Sequence, residues 1–141
     1  MPLEQGQTLS FRSDIVQGGQ NLSSNTLKMA LYTGDATLGP TTTVYTTTNE
    51  VVGTGYTAGG NTLTGVTINT DANTNTVYVN FNNVSWAGAN FTARGALIYN
   101  STQSNKSIAV LDFGSDKLFT STNNTVTMPT NSPTTALLRF V

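Results

Sequence analysis

Gly53-Thr54-Gly55-Tyr56-Thr57-Ala58 sets out a Gly-x-Gly-x-x-Ala pattern. In dinucleotide-binding proteins this spacing ends a strand, opens a helix and lets backbone N–H groups hold a pyrophosphate. The chemistry depends on that helix. Here the next residues are Gly59-Gly60-Asn61, and then "TLTGVTI" (62–68), which alternates as a strand does. No acid follows on a second strand at the spacing that would take a ribose hydroxyl. Gly53, Gly55, Gly59 and Gly60 are therefore read as structural residues that let a hairpin bend and pack closely.

Asp71-Ala-Asn73-Thr-Asn75 opens like a calcium loop, but Thr76 stands where the sharp turn needs Gly and Asn82 where a bidentate Glu belongs. The same residues suit a tight turn, because Asn and Asp bond their own backbone and tolerate left-handed conformations. Asp112-Phe113-Gly114 spells a kinase magnesium motif without any of that machinery around it. Asp112 and Asp116 form a pair of acids of the kind a glycosidase uses, and they fit a hairpin equally well. Arg94, in "FTARGALIYN", is expected as a structural partner of Asp112. The chain has no His and no Cys, so the usual neutral-pH base, the commonest metal ligand and the thiol nucleophile are all missing. No lysine follows a serine at Ser-x-x-Lys spacing. The expectation is a protein that is not an enzyme, with no catalytic residue, cofactor or metal. Tyr32, Tyr45, Tyr56, Tyr78, Trp86 and Tyr99 could form a sugar-stacking face, but they also suit an ordinary β core.

The elements that would position these residues are short. Among 141 residues only 9% are charged, against about 25% in an ordinary globular protein. Thr, Asn, Ser and Gly supply the polarity instead. A net charge of −1 with no Lys/Arg cluster argues against nucleic-acid and membrane-surface partners. No signal-peptide pattern or long apolar run appears, so a soluble protein made in the cytoplasm is expected. "TLSFRSDIVQGG" offers Thr8 or Ser10 as N-cap and Gly18-Gly19 as a stop, which predicts one or two helical turns with Phe11 and Ile15 on one stripe. From Asn21 onward the texture is β. Runs at 27–33, 50–57, 62–68, 76–81, 95–100, 107–113, 125–128 and 136–141 are rich in β-branched and aromatic residues. Segment 34–48 reads as an exposed loop or an irregular edge. The fold class is all-β: a single-domain antiparallel β-sandwich or jelly roll over residues 21–141, with a short N-terminal arm or helix over 1–20.

The blocks "NEVVGTGYTAGG", "FTARGALIYN" and "AVLDFGSDK" resemble a widespread family of small tailed-bacteriophage proteins found among virion structural genes. The resemblance runs from about Leu27 to Val141 and departs over residues 1–20. It implies a virion component without enzymatic activity. The first expectation is a capsid decoration (cement) protein on the outer surface of the head, with the major capsid protein and its own copies, as a homotrimer, for partners. Alternatives are a tail or fibre component and a carbohydrate-binding receptor module. Because residues 1–20 depart from the family, Phe11, Arg12 and Ile15 are the expected lattice contact. Deleting residues 1–18 would then abolish binding and leave the domain folded.

Overall fold

The computed structural model describes residues 3–141. The chain is mostly β, with elements β1 (Gly6–Gln7), α1 (Leu9–Gln17), β2 (Leu27–Tyr32), β3 (Asn61–Thr62), β4 (Thr67–Asp71), β5 (Thr76–Asn80), β6 (Val84–Ser85), β7 (Phe91–Asn100), β8 (Lys106–Phe119), β9 (Thr125–Val126) and β10 (Leu138–Phe140). They form a five-stranded sheet in the order β1-β8-β7-β2-β3, a three-stranded sheet β10-β5-β4, and a ribbon β6-β9. Every paired strand is antiparallel, and no sheet closes into a barrel.

The helix runs longer than one or two turns because both of its ends are satisfied. Thr8 Oγ1 accepts the Phe11 N–H at 3.2 Å, and Gly18, left-handed at φ 76, turns its N–H back to the Asp14 and Ile15 carbonyls. Its buried residue is Phe11, whose ring centroid lies 6.1 Å from that of Phe140. Residues 3–20, expected as an arm or short helix, include α1 and pack against the sheets. Leu3 is buried and bridges to Leu38, Gly6 and Gln7 pair with Val110 and Ala109, and Thr8 Oγ1 lies 2.9 Å from Ser107 Oγ.

The five-stranded sheet is covered on both faces. Leu27, Met29, Leu31, Ala96 and Ile98 face a core shared with Phe11, Val79 and Leu138, which joins this sheet to the three-stranded one. Ala30, Tyr32, Leu97, Tyr99 and Val110 face the other way, under Leu3, Ala36, Leu38 and Tyr45. Segment 34–48 is irregular and largely exposed, as expected, but it anchors on the sheet by burying Ala36 and Leu38. It pairs only at isolated bridges, Leu38 to Leu3 and Val44 to Lys106, because its Gly, Pro and Thr content leaves few residues with a pleated pattern.

The run at 50–57 is also not a strand. Only isolated bridges hold it, Glu50 to Tyr32 and Thr54 to Asn90. The expected strand 62–68 is split into β3 and β4 by a bend at Gly65 (φ 64). β8 runs on past the expected end at residue 113, because its register against β7 jumps from Asp112–Gly95 to Lys117–Ala93 and resumes. Residues 113–116 bulge opposite Arg94, with Gly114 at φ 84. No helix among the described residues is long and apolar enough to cross a membrane.

Candidate functional site

The stretch from Glu50 to Gly60 wraps around its own acid. Glu50 is buried, and its Oε1 accepts from Tyr45 Oη at 2.6 Å. Its Oε2 accepts from Tyr56 Oη at 2.5 Å and from the Gly59 N–H at 2.8 Å. Tyr56 Oη in turn accepts the Leu31 N–H at 2.9 Å, so this hydroxyl ties the acid to β2. Around this centre Tyr99 Oη donates to the Gly59 carbonyl at 2.7 Å and Tyr32 Oη to the Thr46 carbonyl at 2.6 Å. The Tyr45 and Tyr99 rings stack at 4.7 Å. Among the described residues Glu50 has no ion-pair partner. Its charge is held by two hydroxyls and one amide, which is how a buried carboxylate avoids the full cost of leaving water.

The tyrosines are held protonated. Burial is the larger cause in each case. The hydrogen bond to Glu50 adds to it for Tyr45 and Tyr56, and the negative charge of Glu50 adds to it for Tyr32 and Tyr99. Tyr99 is pushed from 10.0 to about 12, and the other three go higher. Phenols in this state donate hydrogen bonds; none is poised to act as a base near neutral pH.

The glycines permit this wrapping. A Cβ on Gly60 would stand 1.8 Å from the Met29 carbonyl oxygen, and Gly60 has φ 76. Gly55, at φ 85, lies against the backbone of Gly88, where a Cβ would come within 2.7 Å of the carbonyl oxygen. Gly53 lies against Phe91 in the same way, and Gly59 gives its N–H to Glu50. After Gly55 the chain turns and enters β3 with no helix between. The N–H of Gly59, which a phosphate cradle would point at its ligand, points at Glu50 instead.

The remaining sequence candidates are scattered. Arg94 Nε lies 3.4 Å from Asp112 Oδ1, with both side chains about a third exposed, and the same Oδ1 accepts the Gly114 N–H at 2.9 Å. The Asp116 carboxylate and the Arg94 side chain both lie beside Gly34. Asp71 forms an Asx turn, accepting from the Asn73 N–H at 3.0 Å and from Thr74 Oγ1 at 2.9 Å, and Asn75 closes the β4–β5 hairpin at φ 54. Trp86 is 2% exposed, between Tyr56 and Phe119, and Tyr32 and Tyr99 are buried too. Those three rings are core, while Tyr45, Tyr56 and Tyr78 are half-buried.

Of the three expected contact residues, Phe11 is withdrawn by the fold, because its ring is fully buried. Arg12 is exposed and Ile15 half-buried. Ile15 lines an open groove of about 570 Å³ with Leu22, Ile68, Val77 and Phe140, and Arg12 lines an adjoining recess with Gln7, Arg139, Phe140 and Val141.

Reasoning from sequence missed Glu50 and this groove. Glu50 follows an Asn and precedes two valines, and nothing local marks it as buried. The groove joins residues from opposite ends of the chain. No known family, curated protein or solved structure matches the chain.

Proposed function

We propose that the chain is a non-enzymatic structural protein of a tailed-phage particle, a decoration protein on the outer surface of the head that stabilises the lattice of the major capsid protein. The observation that carries this reading is where the reactive side chains go. Tyr45 and Tyr56 bond Glu50, Tyr32 and Tyr99 bond backbone carbonyls, Arg94 bonds Asp112, and Asp71 bonds its own turn. The groove at Ile68 and Phe140, left facing outward, is open and lined mainly by apolar side chains. Such a body acts by covering surface, and a standard interface of about 1,600 Å² needs no reactive group. Repetition over the particle multiplies a modest affinity.

We read the five- and three-stranded sheets, which share one core, as a distorted sandwich. A homotrimer suits the three-fold and quasi-three-fold positions of such a shell. The test is to add the purified protein to heads that lack it and to measure co-sedimentation and the temperature at which the heads rupture. The reading expects saturable binding and a higher rupture temperature. Heads that neither bind the protein nor gain stability would refute it.

A further inference from the structure

One face of the three-stranded sheet is left partly uncovered. The register places Phe140 opposite Val77 and Leu138 opposite Val79, with Ile68 opposite Val79 on the other side. Side chains alternate across a strand, so these residues share a face. At the Leu138–Val79 end that face is buried. It opens in two directions: toward the hairpin, where Val77 is 38% exposed and Phe140 half-buried, and across to β4, where Ile68 beside Val79 is 50% exposed. Ile15, at the C-terminal end of α1, forms the opposite wall. On the far side of the groove β4 is an edge strand, paired only with β5, so its outer backbone groups are available to an extended chain.

Charge says which chain would fit. Arg94 and Lys106 each have an acid, Asp112 and Asp14. Lys117 donates to the Thr125 carbonyl at 2.7 Å and lies over the Phe119 ring. Arg12, Lys28 and Arg139 have no ion-pair partner among the described residues; Lys28 lies beside Gly59, whereas Arg12 and Arg139 both line a recess that shares Phe140 with the apolar groove. Two unneutralised guanidinium-bearing residues beside an apolar trough complement a segment that is acidic at one end and apolar along its length.

We infer that this groove docks an extended segment of a partner protein. Its acidic end lies at Arg12 and Arg139, and its large apolar side chains lie over Ile15, Ile68, Val77 and Phe140. The proposed function supplies only the partner's identity, a surface segment of the coat protein.

The test has two arms. In the first, the protein is titrated with a synthetic peptide of alternating Leu and Thr ending in consecutive Glu residues, and with the same peptide ending in Lys, while amide resonances are followed. The Glu peptide is expected to bind, to shift Ile68, Val77 and Phe140, and to weaken as salt rises. Arg12→Glu with Arg139→Glu should weaken it by roughly tenfold or more, and Ile68→Asp should abolish it. Equal binding of both peptides, shifts elsewhere, or no binding would overturn the inference, as would self-association of the protein through these residues. In the second arm the same variants, shown by circular dichroism to be folded, are added to heads lacking the protein. If the unchanged protein binds heads and the variants bind equally well, the groove is not the docking surface and the virion reading stands. If the Glu peptide binds as described while the unchanged protein ignores heads, the groove stands and the virion reading falls.

Discussion

Replacing Glu50 tests the centre of the fold directly. In Glu50→Ala the Gly59 N–H loses its acceptor and two tyrosine hydroxyls lose theirs. A buried group left without a partner costs about 1–3 kcal/mol. The hydroxyls can rotate toward other acceptors, but the amide cannot. Counting the full cost for the amide, a fraction for each hydroxyl and the small cavity gives roughly 3–5 kcal/mol, a large share of the 5–15 kcal/mol typical of a domain. Glu50→Gln is milder. If its carbonyl faces Tyr56 and Gly59 and its amide faces Tyr45, all three contacts survive as neutral bonds. The loss is then about 1–3 kcal/mol, partly offset because no charge is buried. Urea denaturation followed by tryptophan fluorescence measures both variants. Tyr56→Phe combined with Glu50→Ala should cost clearly less than the two losses summed, because the residues share one bond. An Ala variant within about 1 kcal/mol of the unchanged protein, or strict additivity with Tyr56→Phe, would show that the network does not hold this region together.

Other outcomes follow from the same geometry. Gly60→Ala drives a methyl into the Met29 carbonyl at a positive φ and should lower the melting temperature more than Gly88→Ala, which is also at positive φ but meets open space; equal shifts would assign the whole effect to backbone strain. The tyrosines bear on alkaline stability: Tyr32, Tyr45, Tyr56 and Tyr99 keep their protons in the folded state above the ordinary value of 10.0, whereas the unfolded chain gives them up there. Stability is therefore complete below about pH 10 and is lost as pH rises toward 12, so phenolate absorbance should appear together with unfolding; four tyrosines ionising in a still-folded protein would contradict this. Deleting residues 1–18 removes Leu3 from one core cluster and Phe11 from the other. Phe→Ala alone costs about 3–5 kcal/mol, so the truncated chain should fail to fold, and a cooperative thermal transition in it would refute the integral role given to this segment.

What the sequence disclosed was local. Thr8, Gly18 and the Phe11–Ile15 spacing announced the helix, because caps and stripes act within one or two turns. Val77 and Val79 announced β5, and Asp71 to Asn75 its turn, for the same reason. What stayed hidden depends on distant neighbours. The 50–57 run has strand-like composition, yet Glu50 is drawn inward by hydroxyls from Tyr45 and Tyr56, and hydrogen bonding of that acid overrides the β propensity of its valines. Segment 34–48 carries only Ala36, Leu38 and Tyr45 as anchors, too few to show a period, but enough to close one face of a sheet already built. Phe11 was visible as apolar, but only its contact with Phe140, from the far end of the chain, turns it inward and leaves Arg12 and Ile15 on the surface.

The claim beneath the proposed function is that this molecule acts by occupying a place on a particle. An electron-microscopy map of intact particles tests that most directly. The account expects density fitting these sheets at three-fold and quasi-three-fold positions on the outer head, with the Ile68–Phe140 groove against the coat protein. Particles carrying no such density, or carrying it only at the tail, would contradict it.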